Sequence, residues 1–122
     1  MNTPDTYLAV FLGNAQSPRH QQWNALSDAE KLARQQKGMA AWQSWMEKHQ
    51  DAIVSTGGPL GKTKRISPEG IKDVSNELAA FVVVRAASHQ AAAQMFEDHP
   101  HFTIFPGEAV EVMPLLPIPG AK

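Results

Sequence analysis

Two stretches of this chain are apolar at consecutive positions, not at alternate ones. Tyr7-Leu8-Ala9-Val10-Phe11-Leu12 reads as a first strand closed by Gly13-Asn14. Leu78 to Ala87 reads as the strongest strand of the chain. In the latter, Ala79, Phe81 and Val83 point one way while Ala80, Val82 and Val84 point the other. The first strand divides in the same way, with Tyr7, Ala9 and Phe11 set against Leu8, Val10 and Leu12. A sheet with one face in water alternates apolar with polar residues, so both faces of this sheet need cover.

Between the strands the period changes to that of a helix. Ser27-Asp28-Ala29-Glu30 has the capping-box pattern, in which the Ser27 hydroxyl accepts from the Glu30 amide and the Glu30 carboxylate reaches back. The helix it opens is expected to run to about His49 or Gln50. Leu32, Gln35/Gln36, Met39, Trp42 and Met46 form its stripe, widened by Trp45. Residues 14–26 read as a polar connection. A short strand, Ala52 to Thr56, ends at Gly57-Gly58-Pro59-Leu60-Gly61, and Lys62 to Ser75 reads as an exposed polar hairpin turning at Ser67-Pro68-Glu69-Gly70. Ser88 caps a second helix expected to reach about Asp98. A last strand, Ala109 to Leu115, follows the Pro106-Gly107 turn, and the tail from Pro114 to Gly120 is expected to pack as an extended segment.

Strand, helix, strand, polar arm, strand, helix, strand is the order of a ferredoxin-like βαββαβ sandwich, an α+β fold with an antiparallel sheet and two helices on one face. The other face, apolar and bare, exceeds the patch a monomer ordinarily exposes. A second copy of the chain is the simplest cover, giving a homodimer through the sheet face. Burial under the chain's own polar arm and proline-rich tail is the competing explanation.

Composition agrees with one folded domain spanning residues 1–122: 43% of residues are hydrophobic and 19% charged. A net charge of −1 without a Lys/Arg cluster argues against a nucleic-acid partner. The absence of cysteine excludes disulfides and thiolate chemistry. The N-terminus lacks a basic region, its apolar run is too short for a signal peptide, and no stretch reaches membrane-span length. A cytoplasmic protein without a membrane partner is expected.

Asp98-His99-Pro100-His101 is the one dense titratable cluster. Either imidazole can act as an acid or base near neutral pH. The plain alternative for His99 is a cap at a helix C-terminus, favoured by the dipole. His101, beyond the proline, is not needed for capping and is the stronger catalytic candidate. A His-x-His pair can chelate a metal, but a site needs further ligands that nothing in the spacing demands. No metal and no cofactor is expected. Trp42 and Trp45, aided by Met39 and Met46, can wall a ligand pocket, although such a stripe is more often core. On stripe position Trp42 reads as core and Trp45 as pocket lining. Gly57 and Gly58 can offer backbone amides to a ligand, or simply serve a tight turn. His49 reads as a dipole-favoured surface residue, and His20 and His89 have no evident partner.

Taken together, Met39-Ala40-Ala41-Trp42, Gly57-Gly58-Pro59-Leu60-Gly61, Phe81 to Ala86, His99-Pro100-His101-Phe102 and Glu108 to Leu115 resemble the YCII-related (DGPF-domain) family over nearly the whole chain. The resemblance implies a dimeric α+β barrel. In shorter members it also implies an acid/base dyad, a His in the first helix with an Asp just before a late Pro; a related member eliminates chloride from an aromatic substrate. Here the helix stretch is Gly38-Met39-Ala40-Ala41 and the residue before Pro100 is His99, so the chain departs from the dyad at both positions. It resembles more the Trp- and His-Pro-containing branch, whose activity is generally not established. The expectation is a small organic ligand between sheet and first helix, with His-mediated proton transfer. A non-enzymatic homodimeric binding or accessory module is the rival.

Overall fold

The computed structural model describes residues 5–120; the N-terminal reading at Met1 to Pro4 falls outside them. Strand β1 (Thr6–Leu12) lies inside a four-stranded antiparallel sheet, between β5 (Leu78–Arg85) and β6 (Ala109–Pro114). The edge strand β2 (Ile53–Pro59) completes the order β2-β5-β1-β6, which is the ferredoxin-like arrangement. Strand pairing sets Tyr7 opposite Val84 and Ala9 opposite Val82, so one apolar set of each strand faces the helices. That set holds the buried residues Tyr7, Ala9, Phe11, Val82 and Val84. On them pack the long helix α2 (Asp28–Lys48), through Trp45, and the short helix α3 (His89–Gln94), through Ala92.

Helix α2 begins as its sequence requires. The Ser27 hydroxyl accepts from the Glu30 N–H at 3.1 Å, and the Glu30 carboxylate accepts from the Ser27 N–H at 2.9 Å. Its buried stripe, however, is rotated from the expected one. Leu32 and Met39 are 56% and 65% exposed, while Gly38 and Trp45 are buried and Trp42 and Met46 pack against the core. The cause lies at Gly38, where a Cβ would stand 2.5 Å from the Phe105 ring. Phe105 fills the missing side chain's place and draws that line of the helix inward.

Three other expectations change. Residues 14–26 contain a helix, α1 (Pro18–Asn24), with Pro18 in its first turn and the Ser17 hydroxyl accepting from the His20 N–H at 3.1 Å. Helix α3 stops at Gln94, short of Asp98. The chain then turns through Asp98, at φ +57°, and His99 is extended because a residue before proline avoids the helical region. His99 therefore caps the start of a one-turn helix, α4 (Pro100–Thr103), and not the end of the preceding one. Strand β2 also runs on through Gly57 and Gly58 to Pro59.

The outward sheet face carries Leu8, Leu12, Phe81 and Val83, all half-buried, with Val10 more deeply set among them. The hairpin of β3 (Thr63–Ser67) and β4 (Gly70–Val74) gives this face little cover, since all five residues of β4 are exposed although they point alternately to its two sides. The tail pairs its Leu115 N–H with the Thr6 carbonyl at 2.9 Å, but Leu116 and Ile118 beyond it are 70% and 75% exposed.

The two adjacent glycines of β2 make different demands. Gly57 has φ +58°, and a Cβ there would lie 2.0 Å from the Phe81 carbonyl oxygen; Gly58 has open space around it. Gly57→Ala is expected to cost about 2 kcal/mol or more of stability, whereas Gly58→Ala stays within about 0.5 kcal/mol of the parent. Urea unfolding of both variants measures the difference.

Candidate functional site

A cleft of about 820 Å³ opens between α2 and the β2–β5 side of the sheet. Helix α2 lines it with Met39, Trp42, Trp45 and Met46, and with Gln43, Glu47 and Gln50. The sheet contributes Phe11, Ile53, Thr56, Gly58 and Pro59, with Ala79 to Val82 of β5, and the 101–105 segment supplies His101 and Phe105. The lining is mostly apolar and its size falls within the range of about 300–1,000 Å³ usual for small-molecule sites.

His101 is anchored from three sides. Its Nε2 lies 2.7 Å from the Leu12 carbonyl, which also accepts from the Glu108 N–H. The His101 N–H donates to Nδ1 of His99 at 3.0 Å. Gly107 closes against the ring, where a Cβ would stand 2.3 Å from Nε2. Because a carbonyl can only accept, Nε2 carries the proton and Nδ1 holds a lone pair. Nδ1 is neither hydrogen-bonded nor sealed from the surface among the described residues. Burial lowers the His101 pKa, with Arg19 acting in the same direction and the Leu12 bond and Glu108 opposing it. The ring is neutral at pH 7.

His99 is wholly buried behind the cleft wall. Trp42, Trp45, Phe11 and Phe96 surround its ring at centroid distances of 4.6, 4.8, 5.1 and 5.9 Å, and the Trp42 plane stands at 89° to it. Since Nδ1 accepts from His101, the proton resides on Nε2, which has no oxygen or nitrogen partner. The imidazole that carries it is surrounded by aromatic rings. Burial drives the His99 pKa down to about 4, helped by His101 and His49.

A second tier of contacts fixes the 101–107 segment. Arg19 of α1 donates from Nε to the Gly107 carbonyl at 3.0 Å and from Nη2 to the Phe102 carbonyl. Trp23, also of α1, packs against Phe105 at 5.9 Å. The helix that sequence reading took for a connection therefore braces the wall that carries His101.

The expected site residues separate clearly. His101, Trp42, Trp45, Met39 and Gly58 line the cleft, Met39 at its exposed mouth. His99 and Gly57 are not in its lining. The Gly57 N–H turns to the Ser55 hydroxyl at 3.3 Å, so it offers no amide to a ligand. Both tryptophans line the cleft and pack on the core: Trp45, foreseen as lining, is also buried and donates from Nε1 to the Met95 carbonyl at 2.7 Å, while Trp42, foreseen as core, packs against it half-buried. Phe105 and Glu47 were not foreseen. The spacing of Gly38 from Trp42, one helical turn apart, was the available signal for a ring packing beside the indole. His49 caps the C-terminus of α2 and leans on Trp45 at 4.8 Å, and His89 bonds the Val112 carbonyl at 2.7 Å and stacks on Tyr7. No three His, Asp or Glu side chains converge as a metal site among the described residues.

Comparison with solved structures finds the same architecture in 5-chloro-2-hydroxyhydroquinone dehydrochlorinase from Burkholderia phenoliruptrix AC1100, in complex with 2,5-dihydroxybenzoquinone. The match has a TM-score of 0.54 and covers 91% of this chain and 93% of that one, at 17% identity. The fold is shared. At this identity, residue roles do not follow from it. No protein-family model and no curated protein matches the chain. No helix among the described residues is long and apolar enough to cross a membrane.

The buried imidazole makes stability depend on pH. In the unfolded chain His99 takes a proton near pH 6.5, whereas in the folded chain it resists until about pH 4. The folded state is thus penalised as pH falls between those values, and the loss is complete below the lower one. The gap from 6.5 to about 4 corresponds to about 3 kcal/mol. Urea unfolding between pH 7 and pH 4 is expected to be less pH-dependent by about that amount in His99→Phe, in which His101 and His49 still titrate.

Proposed function

We propose that this chain is a YCII-related protein that binds a small organic molecule between α2 and the sheet and exchanges a proton with it through Nδ1 of His101. The observation that carries this reading is His101 in the lining of a roomy apolar cleft, with its Nδ1 unbonded and not sealed from the surface among the described residues. In such a step Nδ1 takes a proton from an O–H or C–H acid of the ligand, and the Leu12 carbonyl stabilises the resulting imidazolium through Nε2–H. The proton is then returned to the product. The likeness to a structure solved with 2,5-dihydroxybenzoquinone supports a ring-sized occupant.

A non-catalytic binding module is the second reading. It is favoured by the solitary position of Nδ1: Glu47 is the one other titratable side chain in the lining, and it lies on the exposed rim. Both readings require a ligand.

Screening small uncharged and acidic aromatics by thermal unfolding tests the shared claim. A ligand present at a hundred times its Kd stabilises the folded chain by about 2.7 kcal/mol, a rise of several degrees. The rise is expected in the parent and is expected to be lost or strongly reduced in His101→Ala. If no compound raises the melting temperature, the reading fails; turnover of a compound that binds separates enzyme from module.

The proposal includes a homodimer formed through the outward sheet face. Leu8, Leu12, Phe81 and Val83 offer a contiguous apolar surface to which the hairpin and tail give little cover. Sedimentation equilibrium is expected to give twice the 13.3 kDa of one chain, and Val83→Lys, at the middle of that face, is expected to give the monomer. A monomer mass for the parent at all concentrations removes this part of the proposal.

A further inference from the structure

Every charged or basic group that the cleft presents is a hydrogen-bond acceptor. Nδ1 of His101 holds a lone pair, its proton being committed on the far side of the ring to the Leu12 carbonyl. The one acidic side chain in the lining among the described residues is Glu47, at the rim. No Lys or Arg among the described residues lines the cleft. Arg19, the cation nearest in role, spends its guanidinium on the carbonyls of Phe102 and Gly107. Gln43 turns its amide towards Glu47, Nε2 to Oε2 at 3.4 Å, and the uncharged donors that remain in the lining include Gln50, Thr56 and the indole N–H of Trp42.

From this we infer that the cleft selects uncharged molecules that bring a hydrogen-bond donor, such as a ring alcohol or phenol, and rejects carboxylates and other anions, with Glu47 as the residue that sets the discrimination. The inference rests on the proposal that the cleft is a binding site and names the class of molecule it takes. An anion entering here leaves water for an apolar lining with no cation to meet it. It also brings its acceptor oxygens to the acceptor nitrogen of His101 and passes the Glu47 carboxylate. A neutral hydroxyl faces none of these penalties and can donate to Nδ1. A ring without a donor gains the apolar contact alone.

Three bicyclic probes substituted at the same ring position separate these effects: naphthol, methoxynaphthalene and naphthoate. Calorimetric titration at pH 7.5 is expected to show naphthol binding at least about tenfold more tightly than naphthoate, with methoxynaphthalene between them. Glu47 is exposed, so Glu47→Lys and Glu47→Gln are expected to fold as the parent does. In Glu47→Lys the gap between naphthol and naphthoate is expected to narrow severalfold, and in Glu47→Gln less. Naphthoate binding as tightly as naphthol in the parent, or a gap unchanged in Glu47→Lys, overturns the charge selection while leaving the cleft as a binding site. Binding of none of the three removes the cleft as a site, and the selection with it.

Discussion

The uncharged burial of His99 is the constraint around which this end of the molecule is arranged. An imidazole with no surface exposure can be held only if it stays neutral and if its one available acceptor is matched. Both conditions are met locally. Nδ1 accepts from the backbone two residues on, and the ring is packed by Trp42 and Trp45 from α2, Phe11 from β1 and Phe96 from the turn after α3. Those four rings come from three separate parts of the chain. Their common contact with one imidazole fixes where α2 lies relative to the sheet.

The same arrangement sets the orientation and tautomer of His101. Because the His101 N–H is bound by His99, the short helix α4 starts in one orientation and turns the His101 ring toward the Leu12 carbonyl. That carbonyl lies at the end of β1, the strand that also supplies Phe11 to the cage. Strand end, buried imidazole and accessible imidazole are therefore one connected unit. The ring nearer the core is spent on structure, and the outer one keeps a free lone pair at the cleft. Two histidines of similar sequence context come to differ because one precedes Pro100 and the other follows it.

Much of the framework was legible in the sequence for identifiable reasons. The capping box at Ser27 and Glu30 is a local pairing that needs no tertiary help, and the four-residue turn at Ser67 to Gly70 determines its own hairpin. The two-faced apolar strands declared the sheet and its order. What could not be read was long-range. The inward line of α2 depends on a phenylalanine 67 positions away filling the gap at Gly38. Helix α1 is polar and short, so no periodicity marked it, and it is held chiefly by Arg19 and Trp23 reaching the 102–107 segment. The role of His99 was misjudged because helix α3 was extended to Asp98; the positive φ at Asp98 reverses the chain one residue earlier. That Trp42 and Trp45 both serve core and cleft follows from the same rotation of α2.

The resemblance implies a dyad whose His would fall within positions 38 to 41, and the packing bears on one of those positions and on the residue before Pro100. A histidine placed at position 38 of α2 would drive its side chain into Phe105, whose ring already stands where a Cβ would be. A carboxylate in place of His99 would enter a cage of four aromatic rings with the His101 N–H as its one evident donor, a setting that strongly disfavours its charge. Phe105 thus excludes a side chain at position 38, and the cage disfavours a carboxylate at position 99. The neutral His99 is the side chain that this packing accepts. In the proposed proton transfer the base is Nδ1 of His101, a residue of the cleft lining whose ring is braced by a backbone carbonyl instead of a carboxylate. A carbonyl brace orients the ring but adds no negative charge, which keeps the imidazole a weak base and matches it to ligands whose own proton is already acidic.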